Sequence, residues 1–244
     1  MPSFYEPNLK PECKQLTITG SEYNHIVNVF RKRIGDLIKL NSGNGLLAEG
    51  KISSISKGSL TVDIETIRYF EMSEPQLAVA FALLRNKNDE FIVEKLTELG
   101  IKELFPFISE NTVRKPGNNT ISRFQDTAIA AIKQCDNPFM PIIHETTDLK
   151  KTLNFVREQG FQPIIASELE DEPLLAEIVS VYNKPLCIFI GPEGGFSPIE
   201  FRHFKDTNTL TYKLCNRVLR AETAAITSVA QLVEEYLKIN PEYQ

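Results

Sequence analysis

The fold of this chain is decided by the stretch Ile190-Gly191-Pro192-Glu193-Gly194-Gly195-Phe196-Ser197-Pro198, where an apolar run over residues 186–190 stops in glycines. Short apolar runs of this kind are typical of a strand that is buried on both faces of a parallel sheet. Ser197, with Pro198 next to it and Glu200 three residues on, predicts a capping box at the start of a helix. The stretch is therefore predicted to run from a strand through a loop into a helix.

The glycines make this loop a candidate ligand site. Three glycines within five residues permit positive φ values and let a ligand approach the main chain closely. A plain strand-to-helix turn explains them equally well, and only the position at the carboxyl edge of a sheet favours a ligand. The chain lacks the P-loop pattern, a Gly-x-Gly-x-x-Gly after a strand and a Gly-x-Ser-x-Gly turn. Dinucleotide binding and serine hydrolysis are therefore not predicted.

Length and composition are those of a globular protein. The 244 residues allow one large domain or two modest ones, and 42% hydrophobic with 24% charged residues is an ordinary balance. No apolar span is long enough to cross a bilayer, so we expect a cytoplasmic protein without a membrane partner. The four cysteines and three histidines are scattered along the chain, which predicts neither a metal site nor a disulfide framework.

Charge is distributed unevenly along the chain. The net charge is −5, but residues 1–70 contain nine Lys/Arg against seven Asp/Glu, whereas residues 71–244 contain eighteen against twenty-five. A local basic face can bind RNA on an acidic protein because salt screens exposed charges beyond about 8 Å. The best candidate is Arg31-Lys32-Arg33 with Lys39. A solvated helix end explains the same triplet equally well.

Two kinds of pattern divide the chain. Residues 15–67 alternate short apolar runs with turn-forming clusters, which predicts a small antiparallel barrel over residues 1–70 with one basic helix that Ser21 caps and Gly35 ends. Residues 71–76, with Pro75, are the predicted linker. From residue 77 onward strands and helices alternate, which predicts an α/β domain over residues 77–244. Pro106 indicates either that its strand lies at a sheet edge or that the proline stands at the end of the strand.

The carboxyl end contains a second candidate ligand loop. Residues 209–214 form a predicted strand, residues 215–217 a connection, and residues 219–238 a long helix with one apolar face. The first turns of that helix are small and polar, which suits either a nearby ligand or close packing on another helix. Two successive strands of the sheet thus end in candidate ligand loops.

Four blocks of the chain match, in order, the pattern of one known family. Residues 191–197 resemble its cofactor loop, and Arg217-Val218-Leu219-Arg220-Ala221-Glu222-Thr223-Ala224 resembles its second signature. Residues 83–100 are similar to its first catalytic-domain motif, and residues 25–36 to its amino-terminal signature. The chain therefore resembles the 16S ribosomal RNA uridine N3-methyltransferases of the SPOUT (α/β-knot) class.

The resemblance implies a PUA-like β-barrel that binds RNA, followed by a trefoil-knotted α/β domain. It also implies S-adenosylmethionine as cofactor, 16S ribosomal RNA or the small ribosomal subunit as partner, a homodimer through the knot domain and no metal. The residues that match the cofactor motifs are Ile190, Gly191, Glu193, Gly194, Gly195, Leu214, Cys215, Val218, Leu219 and Thr223. The residues predicted to contact RNA are Arg31, Lys32, Arg33 and Arg85.

For the chemistry implied, a base must remove the proton from the uridine nitrogen, and a cation must hold the negative charge that develops on the ring. We expect Glu98 or Glu222 to be the base and Arg220 or Arg114 to be the cation, because each lies inside or beside a matching block. Each could instead belong to a structural ion pair.

Some positions depart from the family pattern, and other functions stay open. Cys215 stands where glycine is expected, residues 109–112 (Ser-Glu-Asn-Thr) lack the usual arginine, and residues 134–138 also differ. One alternative keeps the fold but methylates a ribose hydroxyl or a transfer RNA base. Another is an RNA-binding assembly factor with a vestigial loop.

Overall fold

The computed structural model describes residues 3–72, 76–167, 172–181 and 185–239. Its contacts divide the chain into two compact units, of which the first comprises the residues up to Met72 together with Ile129–Met140. The predicted division at residues 71–76 placed 129–140 in the second domain, whereas this segment packs with the first unit. Pro75 of the predicted linker lies outside the described residues.

The first unit is built on one five-stranded sheet. Its order is β1-β3-β4-β5-β2, and every pair is antiparallel except β1 with β3. The long β4–β5 hairpin bends because its register shifts at Glu49/Gly50 and again at Ile52/Ser54. The strands are β1 (Phe4–Tyr5), β2 (Gln15–Thr19), β3 (Leu37–Asn41), β4 (Leu46–Ser56) and β5 (Ser59–Tyr69).

The predicted basic helix is shorter than the sequence suggests. Helix α1 (Gly20–Asn24) follows Thr19, rather than Ser21, as its N-cap and continues only into a π-helical turn over His25–Val29. The N–H of Phe30 donates to the carbonyl of His25, and Arg31 then has a φ of +55°, which ends the helical path. The basic triplet therefore lies in the loop before β3, because a left-handed residue cannot continue a helix.

Residues 129–140 belong to the first unit because polar side chains hold them there. The amide Nδ2 of Asn41, a buried residue, donates to the carbonyl of Asn137 at 2.8 Å. Lys133 Nζ contacts Glu22 Oε1 at 2.6 Å. Asn137 belongs to residues 134–138, the segment that departs from the family pattern, and its carbonyl is used inside the first unit.

The second unit is a parallel α/β sheet with the strand order β12-β10-β11-β6-β7-β8, and β9 also pairs with β7. All of its pairs are parallel. The central strands are buried along their whole length, as expected for a sheet that is covered on both faces. The strands are β6 (Ala78–Ala82), β7 (Glu103–Ile108), β8 (Ile142–Ile143), β9 (Thr147–Asp148), β10 (Gln162–Ser167), β11 (Leu186–Ile190) and β12 (Leu210–Lys213).

Helices alternate with these strands, as the pattern predicted. Those after α1 are α2 (Asn88–Glu98), α3 (Thr120–Cys135), α4 (Leu149–Glu158), α5 (Leu175–Val181), α6 (Pro198–Asp206) and α7 (Ala221–Ile239). Phenylalanines from strands, helices and the loop over residues 191–197, here called the glycine loop, form one core cluster. In it Phe204 of α6 packs beside Phe189 of β11 and Phe196. Among the described residues, no helix combines the length and the apolar character that a bilayer crossing needs.

Pro106 is not in an edge strand, the first of its two predicted positions, and it lies two residues before the end of β7. β7 pairs with β6 on one side and, on the other, with β8 at residues 103–104 and with β9 at residues 107–108. Pro106 lies opposite the gap between these two short strands. Its missing N–H therefore breaks no ladder bond on that side.

The carboxyl-terminal helix returns to the middle of the sheet. β12 pairs with β10 at the sheet's end, whereas α7 packs on β11, α2 and α5. Tyr212 in β12 donates its buried hydroxyl to Ser228 Oγ in α7 at 2.6 Å. Residues 214–220 therefore cross the carboxyl edge of the sheet, beside the glycine loop. The trefoil knot itself stays a prediction.

Candidate active site

A cleft of about 1850 Å³ extends from the carboxyl edge of the parallel sheet, where β11 and β12 end, to the amino-terminal ends of β10 and β12. The glycine loop forms one wall, and residues 214–222 form the other. Both predicted ligand loops therefore face the same space, which is the position at which open α/β sheets bind ligands. The predicted cofactor residues that line the cleft are Ile190, Gly191, Glu193, Gly195, Leu214, Cys215, Val218 and Leu219. Gly194 and Thr223 are exposed and are not among its lining residues.

The three glycines of the loop satisfy three different steric demands. A Cβ on Gly191 would approach the Phe196 ring to 3.2 Å, and one on Gly194 would approach Asn111 Cβ to 3.2 Å. Gly195 has a φ of +68°, and no atom lies within 4 Å of the place that its Cβ would occupy. Gly191 and Gly194 thus make room for the protein's own side chains, and only Gly195 leaves open space for a ligand.

The predicted capping box at the start of α6 is confirmed. Ser197 Oγ accepts the N–H of Glu200 at 3.2 Å, and Glu200 Oε2 accepts the N–H of Ser197 at 2.8 Å. Glu200 has a further role that the motif did not indicate. Its buried carboxylate also accepts from Ser109 Oγ at 2.9 Å and from the N–H of Glu110 at 3.0 Å. The helix start and the loop after β7 are therefore joined through one carboxylate.

Two neighbouring loops contact the glycine loop directly. Asn111 Nδ2 lies 3.3 Å from the carbonyl oxygen of Gly194 and 3.0 Å from that of Gly195. Glu193 Oε1 accepts the N–H of Arg85 at 2.9 Å. The Glu193 side chain therefore ties the loop to the segment after β6.

The second wall carries the other signature residues. Arg217 and Arg220 are exposed, and 79% of Val218 is accessible to solvent. Cys215, the residue in place of the expected glycine, is also exposed, and its Sγ lies 3.1 Å from the carbonyl oxygen of Arg217. At this position a cysteine side chain extends away from the packed core and displaces nothing.

The four catalytic candidates occupy different places. Arg220 and Glu222 line the cleft. Glu98 ends α2, which starts at the carboxyl edge and runs 11 residues, or about 16 Å, back to the amino edge. There Glu98 accepts from Lys95 Nζ at 2.8 Å. This placement argues against Glu98 as the base within one chain and leaves Glu222 as the candidate.

Arg114 is engaged in a structural pair. Its Nη1 bonds to Asp89, whose side chain is fully buried, and lies 3.5 Å from the carbonyl oxygen of Leu84. Burial raises the pKa of the Asp89 carboxyl above its usual value, and the Arg114 guanidinium opposes that rise. Arg114 is thus the counter-ion of a buried carboxylate, and Arg220 is the better candidate for the charge on a substrate.

Sequence reasoning missed several residues of the cleft. Arg202 and Lys205 line it from α6 and lie three residues apart, on one helix face. This spacing was available in the sequence, but nothing in it showed which way that face points. Together with the residues already named, the cleft carries five cationic side chains, Arg85, Arg202, Lys205, Arg217 and Arg220, against three carboxylates, Glu172, Glu193 and Glu222.

The RNA-binding candidates are divided between the two units. Arg31 and Arg33 are exposed in the first unit, while Lys32 Nζ donates to the carbonyl of Leu37 at 3.1 Å. Arg85 lines the cleft of the second unit. Within the described part of the chain, no three His, Cys, Asp or Glu side chains are grouped so that they could hold a metal ion.

Two known domain families match this chain. The RNA methyltransferase domain matches residues 71–233, and an RNA methyltransferase PUA domain matches residues 18–65. The two matches agree with the two units of the structure, an antiparallel unit followed by a parallel α/β sheet, and they place the chain in the class of RNA methyltransferases. The chain belongs to the RNA methyltransferase family that the longer match describes.

Several proteins are similar to this chain over most of its length. Proteins named ribosomal RNA small subunit methyltransferase E are 27% identical in Rickettsia conorii and 28% identical in Bacillus subtilis, covering 91% of this chain and 90% of each relative. A putative methyltransferase from Legionella pneumophila, solved in complex with S-adenosylmethionine, is 25% identical with a TM-score of 0.82, covering 95% of this chain and 96% of that one. The corresponding Neisseria gonorrhoeae methyltransferase E structure, at 22% identity over 96% of this chain and 97% of that one, supports the same fold with a TM-score of 0.85.

Proposed function

We propose that this protein transfers the methyl group of S-adenosylmethionine to N3 of a uridine in small-subunit (16S) ribosomal RNA. The observation that carries this proposal is that two loops from successive strands, the glycine loop and residues 214–222, face one cleft. Relatives that share nine-tenths of their length with this chain are named for methylation of small-subunit ribosomal RNA. The Legionella relative was solved with S-adenosylmethionine.

The residues of the cleft suit this cofactor. The space beside Gly195 is one that any Cβ would enter, so the main chain can be approached closely there. Backbone N–H and C=O groups of the glycine loop would bind the polar edges of the cofactor, and Leu214, Val218 and Leu219 would pack against its apolar surface. When bound, S-adenosylmethionine supplies a methyl group that its positive sulfonium already activates.

The protein's own residues then have two tasks. We assign to Glu222, which lines the cleft in the first turn of α7, the acceptance of the N3 proton of the uridine, directly or through one water. We assign to Arg220, which lines the same cleft, the stabilisation of the negative charge that the ring acquires. Holding the ring nitrogen in line with the methyl group is the larger contribution, since alignment alone lowers a barrier by roughly 7–11 kcal/mol.

Charge at the cleft supports an RNA substrate. The sequence from residue 71 onward is acidic overall, but the cleft has the cationic surplus described above. Positive side chains around an active site bind the phosphate backbone and orient the target nucleotide. We also expect a homodimer, and the exposed apolar side chain of Phe201 in α6 is a candidate contact for its interface. A cytoplasmic location follows from the proposed substrate.

Methylation of defined RNA tests the proposal. Purified protein is incubated with S-adenosylmethionine and either unmodified 16S ribosomal RNA or small subunits from cells that lack the gene, and the nucleosides are separated by mass spectrometry. We expect one N3-methyluridine per RNA. A product methylated on a ribose hydroxyl, or activity on transfer RNA alone, would contradict the uridine N3 assignment. Failure to bind S-adenosylmethionine in calorimetry would contradict every methyltransferase function.

A further inference from the structure

We propose that Asn111 is a positioning residue that holds the glycine loop in its cofactor-binding conformation. Asn111 would hold the loop whatever the protein binds, whereas the effect of Asn111 on catalysis rests on the proposed function. The Asn111 amide donates towards two successive carbonyls, those of Gly194 and Gly195. This close approach depends on glycine at position 194, where a Cβ would stand 3.2 Å from Asn111 Cβ.

Fixing the two carbonyls also fixes the N–H groups of the loop. A peptide unit is planar, and its C=O and N–H point in opposite directions. The carbonyls that face Asn111 belong to the same peptide units as the N–H groups of Gly195 and Phe196, so these N–H groups point away from Asn111. Gly195 and Phe196 both line the cleft, and the Gly195 N–H already donates to the carbonyl of Pro192 at 2.9 Å. Asn111 thereby sets the orientation of two successive peptide units in a loop that lines the cleft, and the Gly195 N–H is held within that loop by its bond to Pro192.

Asn111 can do this because its own backbone is held. Glu200 binds Ser109 Oγ and the N–H of Glu110, and the N–H of Ser109 donates to Thr112 Oγ1 at 2.9 Å. Glu200 also accepts the N–H of Ser197, at the end of the glycine loop. Hydrogen bonds therefore link the glycine loop to Glu200 of α6, Glu200 to residues 109–110, and Asn111 back to the glycine loop.

Asn111 lies outside the core, so its effect on the glycine loop can be distinguished from an effect on global stability. The residue is exposed, and its side-chain amide donates to the two carbonyls of the glycine loop rather than to a group of the core. Removing its amide should therefore leave global unfolding unchanged while the loop gains freedom. Replacing Asn111 by aspartate keeps the shape but turns two donors into acceptors that face carbonyl oxygens, so it should disturb the loop more than alanine does.

Three variants and a control test the proposal in the full-length protein. In Asn111→Ala, we expect hydrogen exchange of the Gly195 amide, which donates to Pro192, and the dissociation constant for S-adenosylmethionine to rise about tenfold, the size of one or two lost hydrogen bonds. Asn111→Asp should exceed that effect, and Asn111→Gln should recover part of it. The kcat at saturating S-adenosylmethionine should stay within about twofold of the wild-type value, so that the effect falls on KM. Asn118→Ala, at an exposed asparagine of the same segment, should behave as wild type.

Two results would overturn the role of Asn111. One is unchanged exchange of the Gly195 amide in both Asn111→Ala and Asn111→Asp. The other is an equal fall in melting temperature and cofactor affinity in all three variants, without recovery in Asn111→Gln. Exchange is measured without cofactor, so it decides the positioning role even if the wild-type protein proves not to bind S-adenosylmethionine. Failure of the wild-type protein to bind S-adenosylmethionine would contradict the proposed function but not the positioning role of Asn111.

Discussion

At the scale of single residues, the glycine loop combines packing and ligand access. Gly191 and Gly194 are small because Phe196 and Asn111 occupy the space where their side chains would be. Gly195 is different, since its left-handed backbone and the open space beside it are the features that a ligand could use. The three positions therefore predict three different responses to substitution.

Gly195→Ala should be tolerated sterically but strained in its backbone. A φ of +68° costs a residue with a Cβ about 1–2 kcal/mol, and that strain should appear as reduced stability and weaker cofactor binding. Gly195→Asn should cost less, because asparagine enters the left-handed region more readily. Urea unfolding and calorimetry with S-adenosylmethionine measure both effects. Gly117→Ala is the matched control, with no positive φ and no atom within 4 Å of the added Cβ. Equal stability of Gly195→Ala and the control would contradict the strain argument.

Glu222→Gln should lower kcat by about 10²-fold or more, because the amide cannot accept the uridine proton. Affinity for S-adenosylhomocysteine should stay within about twofold of the wild-type value. Single-turnover methylation of 16S ribosomal RNA measures the first quantity, and calorimetry measures the second. Glu98→Gln serves as the comparison and should keep full activity, since Glu98 ends α2 at the amino edge of the sheet. If Glu98→Gln were inactive and Glu222→Gln active, the assignment of the base would be reversed.

At the scale of elements, a buried ion pair joins the start of α2 to the segment after β7. Asp89 lies in the first turn of α2 and is fully buried, and Arg114 supplies its counter-ion. A buried carboxylate without its cation is strongly destabilising. The position of both residues next to the carboxyl edge of the sheet makes this pair part of the framework of the cleft.

Arg114→Met should destabilise the protein by about 3 kcal/mol at pH 7 and by less at pH 5. Burial already holds the pKa of the Asp89 carboxyl above its unfolded value, and losing Arg114 raises that pKa further. With the folded pKa raised, the contribution of Asp89 to stability is complete below the unfolded pKa and is lost as pH rises through the folded pKa. Acid should therefore relieve the defect. Urea unfolding at the two pH values measures it, with Lys115→Met, at an exposed neighbour, as control. A defect that grows at pH 5 would contradict this account.

At the scale of the whole molecule, a net charge of −5 accompanies local basic surfaces that suit RNA. In the first unit, Arg31 and Arg33 are exposed in the loop before β3, next to the exposed side chains of Phe30 and Ile34. Each arginine that contacts a phosphate releases a counterion, so its contribution appears in the salt dependence of binding.

Replacing Arg31 and Arg33 together by alanine should weaken binding to 16S ribosomal RNA. The slope of log K against log salt should become shallower by roughly 1.5, for two lost phosphate contacts. Filter binding over a salt series gives the slope, and affinity for S-adenosylmethionine should not change. Replacing Lys10 and Lys57, two exposed lysines of the same unit, removes the same charge and should leave the slope as it is. Equal slopes for both double variants would assign the effect to net charge alone.

The sequence predicted most of the elements because their signals are local. The apolar run over residues 186–190, the capping box of Ser197 and Glu200, and the apolar face of α7 each depend on neighbours in the chain. The structure corrected two expectations. Pro106 lies in an inner strand, opposite the gap between β8 and β9, rather than in an edge strand, and the helix before the basic triplet ends early because Arg31 adopts a left-handed conformation.

The sequence by itself therefore determined the α/β class, the two candidate ligand loops and the family to which they belong, because strand, cap and glycine signals act over a few residues. Only the tertiary structure decided what those residues do for one another. Gly191 and Gly194 leave space for the side chains of Phe196 and Asn111. Arg114 is paired with Asp89. Of the two candidate bases, Glu222 lines the cleft and Glu98 does not. The physical reason is that hydrogen bonds such as that of Asn111 to the glycine loop join residues more than 80 positions apart, and no local pattern encodes which distant atoms will meet.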